Sequence, residues 1–118
     1  MGTSIIADKT FCFSERIVKC CNLLQSKKEF VISNQLLKSG TSIGANVIEG
    51  EYGQSKKDFL SKMNIALKEA KETEYWIKLV IKTKSYDGDW GSLLNDCTEI
   101  VKILHSIVKT TRNNLNKK

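Results

Sequence analysis

The 118-residue sequence predicts an all-α fold: a four-helix bundle of antiparallel, up-down-up-down topology, forming one domain over 1–118. Three observations predict it. Proline is absent, so the strongest helix breaker never interrupts the chain. Apolar and small residues recur at alternating gaps of four and three over most of the length, the spacing of a buried helical face. The breaks between these runs are short, and short connections make consecutive helices antiparallel neighbours.

The first helix is predicted over about 4–27, where Ile6, Thr10, Phe13, Ile17, Cys20 and Leu24 carry the weakest version of the pattern. The second, over about 33–52, opens on Ser33, whose hydroxyl suits an N-cap. Its middle, SGTSIGANVIEG at 39–50, is rich in residues that cost up to ~1 kcal/mol each against alanine inside a helix. It nevertheless stays in register, with Leu36, Gly40, Ile43, Val47 and Gly50 forming an inward face. Gly40 and Gly44 are expected to let a neighbouring backbone come close.

The third helix, about 56–84, begins at Ser55-Lys56-Lys57-Asp58, a capping-box-like start with Asp in place of Glu. Phe59, Met63, Ala66, Ala70, Thr73, Ile77 and Val80 form its seam, flanked by Leu60, Leu67 and Ile81. The turn Tyr86-Asp87-Gly88-Asp89 places acids at the positive end of the fourth helix, about 89–115. There the seam is Trp90, Leu94, Cys97, Val101, Leu104, Val108, Thr111 and Leu115, flanked by Leu93, Ile100 and Ile107.

Two further stripes keep the same spacing off the main seams. Gln35, Ser39, Ser42, Asn46 and Glu49 form a polar stripe on the second helix. A solvated face and a close, hydrogen-bonded helix contact, within or between subunits, both remain open for it. Ile65, Glu69, Glu72, Trp76 and Leu79 form the other, on the third helix. With apolar residues at both ends it reads as a subunit interface, the alternative being the cover of a wide core edge.

Composition removes several function classes. No apolar run approaches the ~20 residues of a membrane span, so no membrane partner is expected. No signal-peptide pattern opens the chain, and Cys12, Cys20, Cys21 and Cys97 contain no CxxC pair, so a cytoplasmic location with reduced thiols is expected. The lone His105 has no nucleophile placed near it by sequence, and Lys102 stands where a Glu-x-x-His metal motif needs glutamate. Glu49, Glu69, Glu72 and Glu74 read as ion-pairing and hydrogen-bonding groups, and the glycines fit no phosphate-loop pattern. We therefore expect no enzyme, no catalytic residue, no metal and no cofactor.

The net charge of +6 is unevenly placed. After Glu99 come Lys102, Lys109, Arg112, Lys117 and Lys118 with no acid among them. Antiparallel topology sets this end beside Lys56, Lys57 and Lys62 at the start of the third helix. The candidate nucleic-acid-binding residues are thus Lys56, Lys57, Lys62, Lys109, Arg112, Lys117 and Lys118, which would contact phosphates without reading sequence.

The run from Ser33 to Ile77 carries Gln35-Leu36, Ser42-Ile43, Asn46-Val47-Ile48-Glu49-Gly50, Asp58-Phe59 and Ala66-Leu67-Lys68-Glu69-Ala70, ending in Glu74-Tyr75-Trp76. It resembles the small bacterial four-helix-bundle proteins encoded in intervening sequences of large-subunit ribosomal RNA genes. The resemblance implies a left-handed bundle that assembles as a ring-like homopentamer. It extends distantly to the accessory variability protein of diversity-generating retroelements, which engages a reverse transcriptase and nucleic acid. The expected function is a non-enzymatic, oligomeric accessory or scaffold that binds RNA or DNA through its basic end. The alternative is a protein–protein interaction module with no nucleic-acid binding.

Overall fold

Side chains at the helix starts account for three of the four helices. Ser4 accepts the Ala7 N–H at 3.0 Å and opens α1, Ile5–Ser26. Ser55 accepts the Asp58 N–H at 3.1 Å, and Asp58 in turn accepts the Gln54 N–H at 3.3 Å, opening α3, Lys56–Thr83. Asp89 accepts the Ser92 N–H at 3.2 Å at the head of α4, Trp90–Asn116, just after Gly88 turns the chain at φ +126°. α2, Phe30–Glu51, has no side-chain cap. It follows a tight closure of α1, in which the Glu29 N–H reaches the Leu24 carbonyl and the Lys28 N–H the Gln25 carbonyl, with Lys28 left-handed at φ 62°. This computed structural model describes residues 4–117, which form four packed helices and no strand, about 53 Å long.

Ser33 is not the N-cap that the sequence predicts, because α2 starts three residues earlier. The closure of α1 leaves no spare residues before Phe30. Ser33 is buried within α2, where its hydroxyl donates to the Cys21 carbonyl of α1 at 3.2 Å. On α1 the inward cysteine is Cys21, with Cys20 half-buried. α4 also sits rotated from the predicted seam. Leu93 and Ile100 are buried, while Leu94, Val101, Thr111 and Leu115 are half-buried. The neighbouring Asp96 and Glu99 meet Arg16 and Lys9 of α1 on the flank of that face.

The core runs the length of the molecule through Phe13, Ile17, Leu24, Leu36, Ile43, Met63, Ile77, Ile100 and Leu104. Its tightest point is the α1–α2 contact. A Cβ at Gly40 would lie 2.8 Å from both Cγ atoms of Ile17, and one at Gly44 would lie 3.4 Å from the Thr10 carbonyl. Gly40 and Gly44 therefore make room for α1.

Two connections are clasped together at one end. The Tyr86 hydroxyl donates to Glu29 at 2.5 Å, and the Lys84 ammonium lies 2.8 Å from the same carboxylate oxygen. The bond from Lys84, then that from Tyr86, holds the Glu29 carboxyl below its ordinary 4.5. Its bond to Glu29 raises Lys84 above 10.5, and the bond to Glu29 likewise raises Tyr86 above 10.0.

Two outcomes follow from these contacts. Gly40→Ala removes about 1 kcal/mol net in chemical denaturation, because overpacking costs ~1–3 kcal/mol against a helix-propensity gain near 1. Ile17 is fully buried and its clashing carbons branch at Cβ, so they have little freedom to swing away. A more stable variant would show that Ile17 can yield. For the clasp, a lowered carboxyl gives stability that is present above pH 4.5 and lost as pH falls through the folded value. The raised Lys84 and Tyr86 give stability that is complete below about pH 10 and lost above it. Glu29→Gln should flatten the melting temperature against pH on both flanks, and an unchanged profile would exclude the clasp as its source.

Candidate functional site

Positions three and four apart share a helix face, and this spacing brings cations from two helices together. Asn64, Leu67 and Lys71 follow it on α3, and His105, Val108, Lys109 and Arg112 on α4. They line one cleft of about 330 Å³ between the two helices. Leu67 and Val108 are its buried apolar members, while Lys71, His105, Lys109 and Arg112 are exposed. Carboxylates pair with cations between Lys9 and Glu99, Arg16 and Asp96, Lys62 and Glu49, Lys78 and Glu74, and Lys84 and Glu29. Among the described residues, none pairs with Lys71, Lys109 or Arg112. The arrangement can hold an anion with two ammonium groups, a guanidinium, an imidazole and an amide.

Lys109 and Arg112 are thus the two sequence-predicted cations that meet in a defined cleft. Lys56, Lys57 and Lys117 are exposed at the surface. Lys62 lies 2.9 Å from Glu49 of α2 and is held there, away from the cleft. Lys118 falls outside the described residues. Lys71, His105 and Asn64 were not marked as binding residues by the sequence, although Asn64 and Lys71 stand three before and four after the flanking Leu67.

The polar stripe of α2 divides in two. Ser39 is buried, its hydroxyl 2.9 Å from that of Thr73 on α3, and Glu49 pairs with Lys62 on the same helix. Ser42 donates to the Lys38 carbonyl at 2.6 Å and Asn46 to the Ser42 carbonyl at 2.8 Å, both within α2, and Gln35 is exposed. Ser39 and Glu49 therefore make contacts within one chain. On the α3 stripe, Ile65 is 38% exposed, while Glu69, Trp76 and Leu79 are half-buried. The Trp76 indole donates to the exposed Glu72 at 3.3 Å and packs edge-on against Tyr75, ring centres 5.1 Å apart.

A second surface, mostly apolar, lies between α1 and α2. Ala7, Asp8, Phe11 and Ser14 of α1, with Thr41, Gly44, Ala45 and Ile48 of α2, line a groove of about 570 Å³. Phe11 is 68% exposed and Ile48 42%. The signal was present as gaps of four and three through Ala7, Phe11, Ser14 and Val18, and through Thr41, Ala45, Ile48 and Tyr52.

Cys97 and Glu74 are engaged within the fold. Burial, with Glu74 and Asp96 nearby, pushes the Cys97 thiol up to about 12, and its S–H donates to the Ala70 carbonyl at 3.3 Å. Glu74 accepts the Thr98 hydroxyl at 2.8 Å. Among the described residues, no cluster of three or more His, Cys, Asp or Glu is placed to hold a metal, and no helix is long and apolar enough to cross a membrane.

Comparison with known proteins agrees with this architecture. A crystal structure of a protein of unknown function from the S23 ribosomal protein family of Bacteroides thetaiotaomicron is similar, with a TM-score of 0.83. It is 51% identical, covering 89% of this chain and 99% of that one. No curated protein matches the chain significantly. The family model described as 23S rRNA-intervening sequence protein matches residues 3–106, and the chain belongs to that family.

Proposed function

We propose that this protein is a non-enzymatic, cytoplasmic, oligomeric scaffold that binds RNA or DNA through the cations of α3 and α4. The observation that carries the reading is the cleft in which Lys71, Lys109 and Arg112 converge with His105 and Asn64. Cations that stability alone called for would be expected to sit beside carboxylates, as Lys9, Arg16, Lys62 and Lys84 do. Lys56 and Lys57 extend the basic surface from the first turn of α3, where the helix dipole disfavours a cation by a few tenths of a kcal/mol. Lys117 extends it beyond α4.

The antiparallel course of the helices belongs to the same reading. It is supported by Ile17 against Gly40 and Thr10 against Gly44, and by Ser39 with Thr73 and Glu49 with Lys62. Such a course sets the start of α3 beside the end of α4. Assembly as a homopentamer, which the family resemblance implies, would repeat the basic surface on every copy.

Fluorescence anisotropy with a labelled single-stranded RNA and a DNA duplex tests the proposal. For about four phosphate contacts, duplex affinity should fall roughly 100-fold between about 50 and 200 mM salt. Lys109→Ala with Arg112→Ala should reduce the slope of log affinity against log salt by about 2, without changing the helical content. Absence of salt-sensitive affinity for either probe would reject the reading and leave the protein-interaction module.

A further inference from the structure

Trp90 opens α4 and is buried at 8% exposure, yet its indole N–H has no hydrogen-bond partner among the described residues. Buried donors are almost always paired, because an unpaired one gives up the hydrogen bond it made with water. The chain's other indole, that of Trp76, has its acceptor in Glu72. The unpaired edge of Trp90 faces Gly88, where a Cβ would lie 3.4 Å from Nε1 and 3.7 Å from Cδ1. The glycine, at φ +126°, sets no side chain over the N–H.

Both residues line a pocket of about 270 Å³ between α1, the α3–α4 connection and the start of α4. Cys20 and Leu23 of α1 and Leu93 of α4 give it apolar walls. Four charged side chains border it, Arg16 and Lys19 on α1 and Asp87 and Asp89 on the connection. Two of them are already engaged. Arg16 lies 2.6 Å from Asp96, and Asp89 accepts the Ser92 N–H as the cap of α4. Lys19 and Asp87 are exposed and form no ion pair, with each other or with any other described residue.

We propose that this pocket binds a free amino acid with an apolar side chain. The groups left without partners select that class. The indole N–H lacks an acceptor and Lys19 lacks an anion, and a carboxylate has two oxygens to offer them. Asp87, of opposite charge, receives the ammonium. The side chain packs on Leu23, Cys20 and Leu93. A carboxylate without an ammonium would leave Asp87 unmatched, and an amine without a carboxylate would leave Lys19 and the indole unmatched. The volume lies just under the ~300–1,000 Å³ of sites for drug-sized ligands, which suits a molecule this small.

The pocket is separate from the basic cleft. Leu93 and His105 are about 18 Å apart along α4, at 1.5 Å per residue.

Nuclear magnetic resonance on the isotope-labelled full chain tests the proposal through the two indole N–H signals. Added L-leucine should move the Trp90 signal saturably and leave the Trp76 signal in place. Lys19→Ala and Asp87→Asn change exposed residues, and each should weaken leucine about tenfold, the loss of one charge-assisted contact. Isocaproate and L-leucinamide, each lacking one of the two charges, should bind the parent about tenfold more weakly than leucine for the same reason. Trp90→Phe keeps a ring at the pocket without the N–H, and saturation transfer to the ligand should again show weaker binding. If that variant fails to fold, the two exposed variants decide the matter.

A Trp90 signal that leucine leaves unmoved would overturn the proposal. Leucine affinity unchanged in both Lys19→Ala and Asp87→Asn would also overturn it, by placing the amino acid elsewhere. Isocaproate binding as well as leucine would overturn the amino-acid class in favour of a simple carboxylate. None of these outcomes touches the nucleic-acid reading, which rests on other residues.

Discussion

The seat of Ile17 on Gly40 sets the distance between α1 and α2, and much of the molecule follows from that distance. With no room for even a methyl group at position 40, α2 must present small residues on the side that meets α1. The same economy continues around the helix. Ser39, one position away, is small enough to approach α3 and share a hydrogen bond with Thr73 in a buried setting. α2 is therefore pressed from two sides, which explains why a segment of weak helix formers is helical. Its stability comes from packing, which tertiary contact supplies in place of propensity.

The inward faces were largely legible in the sequence because burial acts directly on periodicity. Leu36, Ile43, Val47, Met63, Ala70, Ile77, Cys97 and Leu104 all stand where the four-three count places them. The count was less able to fix rotation. Leu93 and Leu94 are adjacent leucines, and the packed helix buries Leu93 with Ile100 while Asp96 and Glu99 on the flank pair with α1. Ser33 illustrates a different limit. A serine at a helix start and a serine buried one turn inside look identical in sequence, and the difference here lies in a carbonyl on another helix. For the candidate site, Lys109 and Arg112 were legible as part of a charge run. Lys71 and His105 were not, because each is unremarkable on its own helix and meaningful only where two helices meet.

The distribution of ion pairs separates cations that serve the fold from those that do not. Arg16 and Lys9 tie α1 to α4, whose mutual contact is otherwise slight. Lys62 ties α3 to α2, and Lys84 joins the clasp at Glu29. Exposed pairs of this kind contribute at most ~1 kcal/mol each, so their value is in fixing register between helices. The cations of the α3–α4 cleft perform no such service within the chain. Grouped together they repel one another, a small cost that a bound anion would remove.

The cleft and the groove lie on different sides of the bundle, one between α3 and α4, the other between α1 and α2. A partner seated on Phe11 and Ile48 would therefore leave Lys109 and Arg112 of α4 open. Were the chain to assemble as the family resemblance implies, each copy would carry one such cleft. Modest phosphate contacts repeated along one polyanion gain through effective concentration what each lacks alone. On this argument a single copy should bind a long strand far more weakly than the assembly does, while short strands spanning one cleft should hardly distinguish them.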